Sequence, residues 1–161
     1  MNGFQILQTL YKSERVTVSL AIRDSDGKQL ILKSQNAEYP ALRDLTRIQY
    51  EFELSLKYPV EGMVPIYSLE KQGNAYTPVM EDVGGVPFLE YCNTTPKTLT
   101  IFLNLAIQIT EILSLLHKTQ IIHKDIKPTN ILVQKETGRM YLIDLNFLSR
   151  KILSKKDYHQ P

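Results

Sequence analysis

Alternating apolar and polar side chains dominate the first third of the chain. Val16, Val18, Leu20 and Ile22 alternate with Thr17, Ser19 and Ala21, the period of a half-buried strand. Residues 4–11 and 28–34 are also rich in β-branched and apolar residues. Asp24-Ser25-Asp26-Gly27 is a strong turn signal between the strands predicted at 15–23 and 28–34. The period then changes. Leu42, Leu45, Ile48, Phe52 and Leu56 recur at three- or four-residue steps, which predicts a helix over 41–58 that Pro59 ends. Two more short strands are predicted at 64–69 and 75–81, joined by a turn at Gln72-Gly73-Asn74. Gly84-Gly85 and Pro87 read as a flexible connection, so the pattern divides the chain into 1–83 and 84–161. From Leu99 to Lys118 the pattern is that of a long, mostly buried helix, with Asn104, Gln108, Glu111 and Lys118 near one wet stripe. Ile131-Leu132-Val133, a Thr137-Gly138 turn and Met140-Tyr141-Leu142-Ile143 then predict two short strands.

Composition narrows the function classes. With 161 residues the chain is long enough to bury roughly 70% of its unfolded surface. A hydrophobic content of 43% and a charged content of 22% exclude a disordered chain. Nineteen basic and seventeen acidic residues, 19 Lys+Arg against 17 Asp+Glu, leave a net charge of +2. That balance gives no strong drive toward nucleic acid or an anionic membrane. The basic tail carrying Arg150, Lys151, Lys155 and Lys156 reads as solvated. A single cysteine, Cys92, excludes an internal disulfide. The start of the chain lacks a basic stretch followed by an apolar one, the mark of a signal peptide. Segment 101–116 is interrupted by Asn104, Gln108 and Glu111, and it reads as too short and too polar to span a bilayer. The expectation is a reducing, cytoplasmic location with no nucleic-acid or membrane partner.

The chemistry concentrates in His123-Lys124-Asp125-Ile126-Lys127-Pro128-Thr129-Asn130 and in Leu142-Ile143-Asp144-Leu145-Asn146. Asp144 and Asn130 supply the hard oxygen ligands that Mg²⁺ prefers. Asp125 can orient a hydroxyl or accept its proton. Lys127 can offset charge on a phosphoryl group in transit. These two segments resemble the catalytic loop and the metal-binding motif of eukaryotic-type Ser/Thr protein kinases. Lys124 stands where arginine is usual, and Lys127 matches the lysine two residues after the catalytic aspartate. Asp144-Leu145-Asn146 replaces Asp-Phe-Gly. The likeness is greatest to kinase domains that open large bacterial multi-sensor signalling proteins.

The resemblance extends toward the N-terminus. Leu30-Ile31-Leu32-Lys33 is similar to the strand bearing the nucleotide lysine. Glu51 on the following helix is suited to pair with Lys33, although Glu53 is close enough to be the alternative. Val79-Met80-Glu81-Asp82-Val83-Gly84-Gly85 resembles the hinge, with Met80 as gatekeeper and the backbone near Glu81 and Val83 meeting adenine. Val18 and Leu132 stand where the family sandwiches the adenine ring. The implied fold is α+β: a five-stranded antiparallel N-lobe with one helix over 1–83, and an incomplete, mainly helical C-lobe over 84–161 that ends within the activation segment. The implied activity is Mg-ATP binding between two lobes and transfer of the γ-phosphoryl group to a protein Ser or Thr hydroxyl, impaired by the missing C-terminal part. The implied partners are a protein substrate or that missing kinase or sensor portion, whose absence would bare an apolar patch near residues 103–116. The rival reading is an inactive nucleotide- or partner-binding module. Three departures qualify the likeness. The glycine-rich loop positions fall on Tyr11, Ser13 and Val16, Ile31 occupies the place of a small adenine-pocket residue, and Asn146 replaces a glycine.

Overall fold

The computed structural model describes residues 3–145. Of these, residues 3–59 and 64–84 form one compact unit, and residues 60–63 and 85–145 form another.

The first unit contains β1 (Phe4–Lys12), β2 (Val16–Arg23), β3 (Gln29–Gln35), α1 (Leu42–Lys57), β4 (Ile66–Gln72) and β5 (Ala75–Glu81). All five strands pair antiparallel in the order β1-β2-β3-β5-β4. The expected N-lobe sheet with one helix is therefore present. Helix α1 packs on β4 and β5, burying Ile48 and Leu54. It stops at Tyr58, whose N–H still reaches the Leu54 carbonyl, because Pro59 follows.

The register shows which face of the sheet is core. Ala21 opposes Leu30, Ser19 opposes Leu32, and Leu32 opposes Val79. Ala21, Leu30, Leu32 and Val79 form one fully buried cluster. The small residues of β2 thus line the core, where the leucines of β3 and Val79 fill the space. The larger Val16, Val18, Leu20 and Ile22 lie on the other face, only half-buried. On that face Val18 opposes Lys33, Leu20 opposes Ile31, and Ile31 opposes Met80.

The second unit contains β6 (Gly85–Pro87), α2 (Phe88–Thr94), α3 (Leu99–Lys118), a 3₁₀ turn (Pro128–Asn130), β7 (Ile131–Gln134) and β8 (Met140–Leu142). Strands β6, β7 and β8 form a small antiparallel sheet. The connection expected to be flexible is therefore a strand, with Val86 opposite Val133. Three residues are too few to display a period of two. Segment 60–63 joins this unit through β8: Leu142 N–H donates to Gly62 O at 2.7 Å, and Met63 bridges Leu142 in parallel.

Gly62 holds φ at +87°, and a Cβ there would lie 2.6 Å from Ile112 Cδ1 and closer still to Cγ1. Both the left-handed backbone and the contact exclude a side chain. Gly62→Ala is expected to cost about 2–5 kcal/mol, combining backbone strain with overpacking. Urea unfolding measures this, and an unchanged midpoint would mean that the segment does not rest on Ile112.

Helix α3 is less buried than its period alone predicts, and its exposed apolar residues include Leu103, Ile107 and Leu115, within the stretch 103–116 where the resemblance implies an apolar patch. Thr98 caps its start by accepting the Ile101 N–H at 3.2 Å. Only Leu105, Ile112 and Leu116 are buried, while Leu99, Phe102, Leu103, Ile107 and Leu115 are exposed. The helix packs against β8 on one side, and the described residues supply no layer for the opposite side. Gln108 is not a solvated residue either. Its side chain donates to Gly138 O at 3.0 Å and accepts from Met140 N–H at 2.9 Å, fixing the β7–β8 turn on the helix. At 20 residues α3 is also long and apolar enough, by length and composition alone, to cross a membrane, which corrects the reading of 101–116 as too short. Its packing on β8 and the Gln108 bonds are those of a helix flanking a protein core.

Candidate active site

The catalytic-loop residues converge in the second unit. Between α3 and β7 the chain runs without regular structure until Pro128 opens the 3₁₀ turn, a place where proline's fixed φ suits a helix start. That turn buries Asn130 and brings its side chain back onto Asp125. Asn130 Nδ2 donates to Asp125 Oδ2 at 2.8 Å and to the Asp125 carbonyl at 2.9 Å. Both partners can only accept, so the amide orientation is fixed. Both amide hydrogens are spent on Asp125, and the amide oxygen remains as a ligand atom. Lys127 Nζ donates to the same Asp125 Oδ2 at 2.8 Å.

These bonds set the electrostatics of Asp125. The Lys127 ammonium holds its carboxyl below the usual carboxylate range; partial desolvation opposes this, and the Asn130 bond reinforces it. The half-buried carboxylate is therefore ionised at neutral pH. Oδ2 accepts from both the Lys127 and the Asn130 side chains, and Oδ1 from neither.

Asp144 is placed by its neighbour. Ile143 N–H donates to Asn130 O at 3.1 Å, and His123 Nε2 lies 3.0 Å from Ile143 O. A carbonyl accepts only, so Nε2 carries the proton. Nδ1 then accepts the Asp125 N–H at 3.4 Å. His123, with no exposed surface, thus ties the backbone of Asp125 to that of Ile143, the residue before Asp144. Asp144 has φ +63° and is half-buried, a backbone that aspartate tolerates better than most residues. Lys124 also holds φ at +62°. Asn146, the last residue of the motif, and the basic tail lie outside the described residues.

Burial lowers the His123 pKa, against the opposing bond to Ile143 and the charges of Asp125 and Asp144. The folded state keeps the ring neutral, whereas the unfolded chain takes up a proton near pH 6.5. Stability is therefore full above that pH and lost as pH falls toward the lower folded pKa. Thermal unfolding between pH 7.5 and 5 is expected to show this loss, up to about 1.4 kcal/mol per pH unit. His123→Gln should flatten it, and identical slopes in both proteins would contradict the assignment.

The other predicted residues are distributed as follows. In the first unit Lys33 and Val18 are cross-strand partners on the half-exposed sheet face. Glu51 is half-buried on α1, while Glu53 is exposed. Met80 is buried, and Val83 follows β5 as a buried residue. The Glu81 N–H is engaged by Pro65 O at 3.0 Å. In the second unit Leu132 is half-buried between the buried Ile131 and Val133, so it faces the other side of β7. Two features were not read from the sequence: the Ile143 backbone as the anchor of Asp144, and Gln108 as the brace of the β7–β8 turn. Neither carries a residue-type signal, since one acts through its main chain and the other through contacts 30 and 32 residues away.

A family model described as the protein kinase domain matches residues 4–160. The chain belongs to this family. This kinase-family chain is 32% identical over 134 residues to serine/threonine-protein kinase PrkC of Bacillus subtilis, covering 81% of the chain and 20% of that protein. It is 31% identical over 121 residues to serine/threonine-protein kinase ULK1 of Homo sapiens, covering 73% of the chain and 11% of that protein. The chain thus spans a fifth or less of these relatives' lengths. Among solved structures, the C. elegans twitchin kinase fragment superposes with a TM-score of 0.78 at 18% identity, covering 89% of this chain and 32% of that one. That likeness establishes the protein kinase fold.

Proposed function

We propose that this chain binds Mg-ATP and transfers the γ-phosphoryl group to a Ser or Thr hydroxyl of a protein. The observation that carries this reading is the bonded set Asp125–Lys127–Asn130, with Ile143 tied to it so that Asp144 follows directly. Phosphoryl transfer asks mainly for positioning and charge stabilisation, and this set offers both.

The donor chemistry fits Mg²⁺. Asp144 offers a carboxylate and Asn130 an amide oxygen, both hard ligands. Among the described residues no group of three His, Cys, Asp or Glu side chains could cage a metal alone. A cation held here would share its shell with phosphate oxygens and water, as Mg²⁺ does with nucleotides. When bound, it would neutralise phosphate charge.

The protein groups then have distinct tasks. Asp125 orients the substrate hydroxyl. That oxygen forms the new P–O bond as the bond to the ADP oxygen breaks, and the hydroxyl proton passes to the Asp125 carboxylate. Lys127 offsets charge on the moving phosphoryl group. In the first unit Lys33, paired with Glu51, would hold the α- and β-phosphates, and Val18 with the backbone at Glu81 and Val83 would receive adenine. In the second unit Leu132 would pack on an adenine face. Lys127-Pro128 supports a protein hydroxyl as acceptor rather than a small molecule. The 32% identity to PrkC supports Ser/Thr specificity, and the altered Asp144-Leu145-Asn146 motif supports kinship with multi-sensor kinases. A cytoplasmic setting, with a protein substrate or a further kinase or sensor portion as partner, completes the reading.

One observation favours a second reading, a binding module without turnover: the exposed apolar row Leu99, Phe102, Leu103 and Ile107 on α3. Incubation with γ-labelled ATP, Mg²⁺ and a generic protein acceptor separates the two. Label on serine or threonine supports the kinase reading. Nucleotide binding without label supports the module.

A further inference from the structure

The β1–β2 turn is built without glycine and without any left-handed residue: Ser13, Glu14, Arg15 and Val16 all keep φ out of the positive range. A two-residue hairpin normally closes with two backbone bonds between its flanking residues. Here only one forms, from Ser13 N–H to Val16 O at 2.9 Å. The Val16 N–H goes instead to Ser13 Oγ at 3.1 Å, and the Arg15 N–H lies 3.3 Å from the same oxygen. The Ser13 carbonyl, left without its hairpin partner, accepts from Asn36 Nδ2 at 2.7 Å. Asn36 Oδ1 in turn accepts from Thr17 Oγ1 at 2.7 Å, and Asn36 N–H donates to Arg15 O at 2.9 Å. Asn36 lies just past the end of β3, so it staples the turn to the strand that carries Lys33.

Three of the four backbone N–H groups at 13–16 are spent inside the turn. The fourth belongs to Glu14, whose own carboxylate opposes an approaching phosphate. Oriented backbone N–H groups are what a loop offers to a phosphate, and this turn has used them.

We propose that Ser13 and Asn36 close the β1–β2 turn against phosphate, so that it does not select ATP over ADP. The inference rests on the Mg-ATP reading and adds to it a positioning role for two residues outside the catalytic loop. Within the first unit, holding of the nucleotide then falls to Lys33. Ser13→Gly removes the hydroxyl that occupies the Arg15 and Val16 amides and restores donors to the turn. Asn36→Ala frees the Ser13 carbonyl and loosens the staple without touching those amides directly.

Calorimetric titration of the full chain with Mg-ATP and Mg-ADP tests this, together with hydrogen exchange at residues 15 and 16. The wild type is expected to bind the two nucleotides within about threefold of each other. Ser13→Gly is expected to raise the preference for Mg-ATP about tenfold, the effect of one or two new charge-assisted bonds. Without nucleotide, the two amides should be protected in the wild type, faster in Asn36→Ala and fastest in Ser13→Gly. A strong wild-type preference for ATP that Arg15→Ala removes would overturn the inference. So would an unchanged ratio in Ser13→Gly with binding intact. Failure of the wild type to bind either nucleotide would overturn the Mg-ATP reading and this inference with it.

Discussion

Asp125→Ala is expected to lower phosphoryl transfer by about 10²–10⁴-fold, the usual scale of a positioned acid–base group, while Mg-ATP affinity changes less than about threefold. Lys127 and Asn130 both donate to Asp125 Oδ2, so the carboxylate is held in one orientation, and its second oxygen is the one proposed to meet the substrate hydroxyl. Alanine removes the hydroxyl-orienting atom and releases Lys127. It keeps the backbone carbonyl that Asn130 also uses and the N–H that meets His123, so Asn130 keeps one of its two anchors. The loss should appear in kcat rather than in nucleotide binding. Transfer of labelled phosphoryl to a protein acceptor, measured beside nucleotide titrations of both proteins, checks this. Equal turnover by wild type and variant would remove Asp125 from the chemistry.

Asp144→Asn is expected to abolish the stabilisation by Mg-ATP. Asparagine is the cleaner substitution because Asp144 sits at φ +63°, where alanine would add backbone strain and lower the ligand-free stability as well. Asparagine tolerates that backbone and keeps the shape, but it loses the charge that a divalent cation needs. At a nucleotide concentration about 100 times Kd, binding stabilises the folded chain by about 2.7 kcal/mol, which raises Tm by roughly 5–10 °C for a chain of this size. The wild type should show this rise and the variant almost none, with similar Tm values when no nucleotide is present. Equal rises in both would mean that Asp144 does not hold the cation.

Legibility from the sequence followed the range of each interaction. Strands β2 and β3 and helix α1 were readable because their signals are local: a period of two around an Asp-Gly turn, then a period near 3.6 ended by Pro59. The catalytic loop was readable because Asp125, Lys127 and Asn130 fall within six residues and their types alone restrict the chemistry. What the period could not give was the sign of the faces. In β2 it showed alternation, but the register with Leu30 and Leu32 decided that Ser19 and Ala21 point inward. The same limit applies to α3. Its period reads as that of a mostly buried helix, yet whether an apolar side chain is covered depends on a neighbouring layer, not on the helix itself; only the resemblance pointed to the apolar patch near 103–116. Strand β6 was missed because it owes its existence to pairing with β7, more than forty residues downstream. Asn36 gave no signal because its partners, Ser13 and Thr17, lie 23 and 19 residues away.

The most direct test of the central claim is a calorimetric titration of ATP into the wild-type chain with Mg²⁺ and again with EDTA. A Mg-ATP site requires saturable one-site binding with Mg²⁺ that is lost when the metal is chelated. Binding that is indifferent to EDTA, or no binding in either condition, would contradict it.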